Sequence, residues 1–284
     1  MLNKQLITAG LKSLGVKKGD VLLVHSSLKS FGKVAGGADT VINALLEAAG
    51  KTGTVCMPTN TVSLIGVNPP FHPLRSTSKV GVITEYFRFK KGVKRGIHPT
   101  HAVCALGPKA DYVLKDHKPT DSPCGRKSAF KKFIDLDATV LFLGCGLNPN
   151  TTNHVAEDWL GLSYIASRKG IAALVDLKNN VKKVTFPNEP GGHRDFYVPE
   201  SKINRILMNS GKIKEIKIGE ATVLMIKIRD IMQVVLNALK DNPAVLLCDM
   251  PDCTFCYESK QSVLKDRERI NTKIDSLIRE LNLK

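Results

Sequence analysis

The sequence lacks a long hydrophobic stretch: no apolar run reaches the roughly 18 residues that a membrane-spanning helix requires. Its first residues lack the apolar core and small-residue cleavage site of a secretory signal peptide. These two absences predict a cytoplasmic protein without a membrane partner.

Acidic and aromatic side chains are also scarce. The chain has 26 Asp and Glu against 42 Lys and Arg, a formal net charge of +16, and only 6% aromatic residues. A basic excess favours an anionic partner. However, the basic runs are short, and neither aromatic platforms nor a nucleic-acid-binding motif accompany them. A basic nucleic-acid-binding protein is therefore a distant alternative, and we expect no nucleic-acid partner.

Cysteine is present in an odd number, seven, and the residues are scattered, which argues against a disulfide framework. Three of them, Cys248, Cys253 and Cys256, share one stretch near the end of the chain. A C-x-x-C pair with one further cysteine is a weak zinc pattern, because the second pair is missing. Buried reduced thiols are the default interpretation and no metal cofactor is expected, while metal binding and a redox role stay open.

Short apolar runs alternate with helical patterns along the chain. Residues 21–24 read as a buried strand, residues 38–46 have helical spacing, and residues 54–57 form a second strand. This order predicts a βαβ unit with two parallel strands. Residues 139–144 are the clearest buried strand. Without a repeat or linker, residues 1–284 are expected to form a single α/β domain with a mixed sheet between helices.

Residues 25–38 form a glycine-containing loop that leaves the first strand at its carboxyl end and enters a helix. Ligands of open α/β sheets bind at that edge, and a helix N-terminus attracts phosphate. The loop matches neither the GxxxxGK[ST] nor the GxGxxG pattern. Phosphate binding and an ordinary βα turn therefore both stay open.

A second polar segment, residues 150–157, follows the strand at 139–144. If a helix starts at Thr151, Asn150 is its N-cap, and His154 and Glu157 share one face at a spacing of three. The positive helix end favours a neutral imidazole, which is the form of a general base, and a carboxylate could orient the ring. The competing interpretation is a surface His–Glu pair.

A third polar segment carries His98 and His101. Two histidines at this spacing could bind a metal, but no further ligands cluster nearby in the sequence. We therefore favour a structural or substrate-positioning role.

The order of short motifs along the chain is more specific than any one of them. The series consists of His25-Ser26-Ser27-Leu28, Gly36-Gly37-Ala38, Gly53-Thr54 with Met57-Pro58-Thr59, Gly81 with Glu85 and Arg88, His98-Pro99, Ala105-Leu106-Gly107, Ser122-Pro123, Thr151 with His154 and Glu157, and Gly191-Gly192-His193-Arg194-Asp195-Phe196. Over roughly residues 10–240 it closely resembles the aminoglycoside 3-N-acetyltransferase, or antibiotic acetyltransferase, family. The Cys-rich stretch and final helix in residues 241–284 lie beyond the resemblance.

The resemblance implies an α/β/α layered sandwich around a mixed sheet, with acetyl-CoA or another acyl-CoA as co-substrate. It implies donor-site roles for Ser26, Ser27, Val34 and Gly37. It also implies catalytic roles for Thr151, His154 and Glu157, and substrate-binding positions in the cleft for Glu85 and His98.

One departure concerns the family's HPxxS pattern, in which Ala102 stands here in place of serine. The lost hydroxyl donor could be replaced by Thr100 or His101.

The expected reaction is acyl transfer from CoA to an amino group of an amino sugar, with His154 as base, Glu157 as its orienting carboxylate and Thr151 as a candidate oxyanion donor. A covalent course through Cys104, Cys124 or Cys145 is the alternative, without support from spacing. The net charge of +16 favours a nucleotide-linked amino sugar over an aminoglycoside as acceptor. The oligomeric state, including a homo-oligomer, stays open.

Overall fold

The structure, a computed structural model, describes residues 1–190, 198 and 200–283. The helices of these residues are α1 (Lys4–Leu14), α2 (Gly37–Ala49), α3 (Val82–Arg88), α4 (Ala110–Leu114), α5 (Ala129–Asp135), α6 (Thr152–Leu160), α7 (Ser163–Ala166), α8 (Lys202–Met208), α9 (Ile228–Asp241), α10 (Thr254–Lys265) and α11 (Arg267–Glu280). The strands are β1 (Val21–Ser26), β2 (Thr54–Pro58), β3 (Lys94–Arg95), β4 (Val103–Leu106), β5 (Thr139–Leu143), β6 (Lys169–Val175), β7 (Val181–Pro187), β8 (Lys214–Ile218) and β9 (Ala221–Lys227).

Seven strands form one mixed sheet in the order β3-β4-β2-β1-β5-β9-β8. The predicted βαβ unit is present: β1 pairs in parallel with β2, and α2 connects them. β1 also pairs in parallel with β5, while β4, β9, β3 and β8 join through antiparallel pairs. Strands β6 and β7 form a separate antiparallel pair.

Helices cover both faces of the large sheet, which gives the expected α/β/α layers. Along β1, Leu22 and Val24 pack into a core shared with α1, α2 and α3, while Val21 and Leu23 pack into a core that contains α5, α6 and α9. The alternation follows from the period of two along a strand. Helices α10 and α11 contribute Val263, Ile270 and Ile274 to the second core. None of the helices described is both long and apolar enough to cross a membrane.

The crossovers on either side of β1 lie on opposite faces. The chain passes from β1 to β2 through α2 on one face, and from β4 to β5 through α4 and α5 on the other. The carboxyl ends of β1 and β5 lie side by side, with Ser26 paired to Leu143. Such a topological switch point leaves a crevice where ligands bind in open α/β sheets.

Candidate active site

A cavity of about 430 Å³ opens at this switch point. Its walls come from the carboxyl ends of β1 and β2, the loop before β4, the start of α3 and the segment between β5 and α6. Polar side chains on these walls are those of His25, Ser26, Asn60, Thr84, His101, Asn148, Asn150, Thr151 and His154. No lysine or arginine is among the described residues that line the cavity.

His154 and Glu157 form a buried hydrogen-bonded pair in the first turns of α6. The Nδ1 atom of His154 lies 2.6 Å from Oε2 of Glu157, a carboxylate with no exposed surface. The hydroxyl of Tyr164 donates to the other carboxylate oxygen at 2.9 Å. Because Nδ1 donates its proton to the carboxylate, the lone pair of the neutral ring lies on Nε2, and the ring lines the cavity. The surface-pair interpretation is wrong, since both side chains are buried.

Helix α6 begins one residue later than the sequence indicates. Thr151, which borders the cavity, precedes the helix without capping it, and its hydroxyl donates to the carbonyl of Pro149 at 3.3 Å. Asn150 nevertheless accepts a helix-start N–H, from Thr152 at 3.2 Å. The Asn150 side chain thus provides the acceptor at the start of α6, and the Thr151 hydroxyl remains at the cavity wall.

The end of β1 brings His25 and Ser26 to the cavity wall. The His25 ring stacks on Phe142 at 5.1 Å between centroids, and burial lowers the pKa of His25 to about 4. Neither His25 Nε2 nor Ser26 Oγ has a hydrogen-bond partner within the described part of the chain. Buried polar atoms are rarely left unpaired, so both are available to a ligand. His25 was not a site candidate from sequence, although it begins the His-Ser-Ser motif.

The remaining donor-site candidates lie in the same loop but do not line the cavity. The N–H of Ser27 donates to Leu143 at 2.9 Å, which ties the ends of β1 and β5 together, and Val34 packs against the core of α1 and α2. Gly37 is the first residue of α2 and has a φ of 58°. A Cβ at this position would meet no described atom within 4 Å, so the loop is open to solvent or ligand there.

Glu85 is held by a basic neighbour rather than facing the cavity. Arg88 donates to its two carboxylate oxygens, both at 2.6 Å, and the N–H of Ser78 donates at 2.8 Å. Burial opposes the charge on Glu85, but the hydrogen bonds from Arg88 and Ser78 outweigh it and lower the pKa of the carboxyl. Glu85 therefore fastens the loop before α3 to the helix.

His98 is fully buried behind the cavity wall. Its Nδ1 accepts the N–H of His101 at 3.2 Å, and its ring stacks on His117 at 4.7 Å. Burial, together with the nearby His117 and His101, lowers the pKa of His98. The residue supports the loop that brings His101 to the cavity.

His101 lines the cavity. It directly precedes Ala102, which stands where the HPxxS pattern has a serine. Its Nδ1 lies 2.9 Å from the Thr100 hydroxyl, whereas Ala102 is buried immediately before β4. Burial lowers the pKa of His101 to about 3, and the nearby His154 contributes to the lowering. Of the two replacements considered from sequence, His101 reaches the cavity and Thr100 supports it.

Of the three cysteines in the covalent alternative, Cys104 and Cys124 are buried and Cys145 is half-buried. Cys145 borders the cavity, and burial raises its pKa to about 12. Burial raises the pKa of Cys104 to about 11 and that of Cys124 well above the usual range. A thiol held neutral is a poor nucleophile.

The Gly191–Phe196 stretch of the family-like series lies outside the described residues.

Comparison with known proteins identifies relatives over most of the chain. Residues 23–240 match the family model described as aminoglycoside 3-N-acetyltransferase. The aminoglycoside N(3)-acetyltransferase IV of Salmonella sp. is 33% identical over 242 residues, which cover 84% of this chain and 87% of that protein. The SPbeta prophage-derived aminoglycoside N(3')-acetyltransferase-like protein YokD of Bacillus subtilis is 36% identical over 210 residues, covering 66% of this chain and 76% of that protein.

A solved structure supports the same grouping. The apoenzyme of aminoglycoside acetyltransferase AAC(3)-IVa superposes with a TM-score of 0.77 at 30% identity, over 92% of this chain and 97% of that chain. A histidine-to-alanine mutant of that enzyme, solved in complex with a gentamicin, gives a TM-score of 0.78 over the same shares of both chains.

Proposed function

This chain belongs to the aminoglycoside 3-N-acetyltransferase family and is an acyl-CoA-dependent N-acyltransferase, and on that premise we propose that it acetylates an amino group of an aminoglycoside with His154 as the general base. The observation that carries the proposal is the buried His154–Glu157 pair, which borders a cavity at the switch point of the sheet. Acetyl-CoA is the proposed acyl donor.

The choice of acceptor corrects the preference drawn from net charge. The comparisons favour the aminoglycoside alternative over a nucleotide-linked amino sugar, because the named relatives are aminoglycoside acetyltransferases. The charge argument failed because +16 is a sum over the whole chain. Charges separated by more than about 8–10 Å are screened at physiological salt. The described cavity walls carry no lysine or arginine that would bind the phosphates of a nucleotide sugar.

In the proposed reaction the acceptor nitrogen attacks the carbonyl carbon of the thioester, and Nε2 of His154 takes the proton that the amine loses. Glu157 stabilises the resulting imidazolium through its short hydrogen bond to Nδ1. The tetrahedral intermediate collapses with cleavage of the C–S bond, and the departing CoA sulfur receives the proton from His154. No covalent enzyme intermediate forms, in keeping with the neutral state of Cys145.

The negative charge on the carbonyl oxygen of the intermediate needs hydrogen-bond donors. We assign the Thr151 hydroxyl as one of them, since its side chain stands at the cavity wall beside His154. Its weak bond to Pro149, at 3.3 Å, is readily exchanged for a bond to the ligand.

We place the acyl-CoA donor on the β1–α2 side of the cavity. Ser26 offers an unpartnered hydroxyl there, and the open backbone at Gly37 admits close approach. Ser27 and Val34 shape this loop by tying it to β5 and to the core. Glu85 and His98 are assigned positioning roles, because each holds a cavity-forming loop through the contacts described above.

The acceptor is tested by measuring thiol release from acetyl-CoA with two matched panels, aminoglycosides and nucleotide-linked amino sugars. We expect turnover with members of the aminoglycoside panel and an acetylated product by mass spectrometry. Turnover confined to the nucleotide-linked panel would refute the proposed acceptor while keeping the acyltransferase. The control variant His72→Asn replaces a histidine that does not line the cavity, and it should show the same acceptor preference as the wild type.

A further inference from the structure

Three cysteine side chains meet where the chain passes from α9 into α10. Cys248 lies between the two helices, Cys253 immediately precedes α10, and Cys256 is in its first turn. Their sulfur atoms all lie within 4.8 Å of one another, and none of the three is joined in a disulfide. All three residues are buried, with exposed fractions of 3%, 8% and 1%.

The local backbone explains how the sulfurs converge. Cys253 and Cys256 are three residues apart at a helix start, so their side chains share one face. The N–H of Cys253 donates to Met250 at 3.1 Å, in a turn that folds the preceding segment back toward α10.

We propose that Cys248, Cys253 and Cys256 bind one Zn²⁺ ion. Thiolates select soft ions such as zinc, and three cysteines with one further ligand form a tetrahedral zinc site in proteins. The group contains no fourth cysteine, histidine or carboxylate within the part of the chain that the structure describes. The third ligand, Cys248, lies five residues before Cys253 in the sequence, and folding brings its sulfur next to the C-x-x-C pair.

Binding exchanges protons for the metal. A cysteine thiol that binds no metal is mostly protonated near neutral pH, because its ordinary pKa is about 8.5. Each thiol that becomes a ligand loses its proton, so one Zn²⁺ displaces up to three protons and leaves a group with one net negative charge. Proton release therefore reports on binding independently of catalysis.

The proposed zinc has a structural consequence for the catalytic pair. Phe255 lies between two of the ligands in sequence, and its ring packs edge-on against Tyr164 with centroids 6.3 Å apart. Tyr164 donates its hydroxyl to Glu157, which in turn holds His154. The metal would fix the start of α10 against Tyr164 and so act as a positioning element for the base.

The test uses the full chain, reduced with a non-thiol reductant and freed of metal by a chelator. Zn²⁺ is added stepwise, and proton release is followed with a pH indicator, while bound metal is counted after gel filtration. We expect one zinc per chain and release of two to three protons. Binding well below one zinc per chain, or without proton release, would overturn the site. This measurement needs no variant.

Variants then locate the metal. Cys248→Ser and Cys256→Ser should each weaken zinc binding by at least about ten-fold, whereas the matched control Cys56→Ala, altered at a buried cysteine of β2, should bind zinc like the wild type. Cd²⁺ titration should show thiolate-to-metal absorption in the wild type and the control only. Unchanged zinc affinity in both serine variants would refute the assignment. So would a Cys253–Cys256 disulfide that persists under the reductant, detected as a loss of two hydrogens by mass spectrometry.

Discussion

The histidines near the cavity fall into two groups with different partners. His154 donates to the buried carboxylate of Glu157. His98, behind the wall, accepts a backbone N–H from His101 and faces the carbonyl of Asp121 at 3.2 Å. A buried imidazole can accept a proton only where an anion offsets the new charge. The first arrangement therefore suits a base, and the second suits a neutral scaffold.

The largest expected effect comes from removing the anion that distinguishes the first group. Glu157→Gln keeps the side-chain shape but cannot stabilise an imidazolium, and it alters the ring tautomer of His154. By analogy with other carboxylate–histidine pairs, kcat should fall by about 10²–10⁴-fold. Steady-state kinetics with acetyl-CoA and an aminoglycoside, alongside a thermal melt, checks this. A loss of kcat of less than three-fold would show that the Glu157 carboxylate does not make His154 a base.

Acid should destabilise the fold through the neutral histidines. The folded pKa values of His25 and His101 are lowered by burial to about 4 and about 3, against 6.5 when unfolded. Above pH 6.5 neither state is protonated and these residues do not affect stability. As the pH falls below 6.5 the unfolded chain binds protons first. The free energy of unfolding then decreases by about 1.4 kcal/mol per histidine for each pH unit, until the folded pKa is reached.

Denaturant unfolding at several pH values measures this dependence. The wild type should lose on the order of several kcal/mol between pH 6.5 and pH 4, and His101→Gln should show a smaller slope over that range. An equal slope in the variant would contradict a lowered folded pKa for His101, because the residue would then bind protons equally in the folded and unfolded states.

A smaller effect is expected at the residue that orients the carboxylate. Tyr164→Phe removes the 2.9 Å hydrogen bond to Glu157 and leaves the packing of the ring. A hydrogen bond to a charged group contributes about 1.5–3 kcal/mol, so kcat should fall by about ten-fold to a hundred-fold. The pH–rate profile of the variant should also shift, which a purely structural role for Tyr164 would not produce. An unshifted profile with unchanged kcat would exclude the positioning role.

The smallest effect on catalysis is expected at Glu85. Glu85→Gln weakens the bond to Arg88 but leaves the cavity walls intact, so kcat should stay within about two-fold while stability falls by about 1 kcal/mol. Because the folded pKa of Glu85 is lowered, this stabilisation is present above the unfolded pKa and is lost as the pH falls through the folded pKa. A large loss of kcat without a change in stability would place Glu85 at the ligand.

Sequence patterns predicted the elements whose apolar residues are buried on both sides. β1, β2 and β5 are such strands, and the parallel pairing of β1 with β2 is confirmed. Helices α1 and α10 were not predicted. Helix α10 buries few apolar side chains and has mostly polar residues, so its helical pattern is weak. The short strands β3 and β8 were missed because they lie at the sheet edges, where burial imposes little pattern.

The site was predictable where it depends on local spacing. The contact of His154 with Glu157 follows from a separation of three residues on one helix. The proximity of His25 and His101 to this pair depends on strand order and on long-range packing, which a single sequence does not specify. The contact of Tyr164 with Glu157 depends on how the chain turns from α6 into α7. The meeting of Cys248 with Cys253 and Cys256 depends in the same way on the turn before α10.

The central claim, that His154 is the base, is tested most directly by His154→Ala. We would measure kcat for thiol release from acetyl-CoA in the presence of an aminoglycoside, together with CoA affinity and the melting temperature. The account predicts a loss of about 10²–10⁴-fold in kcat with CoA binding and folding retained. Activity within a few-fold of the wild type, in a folded variant that still binds CoA, would contradict it.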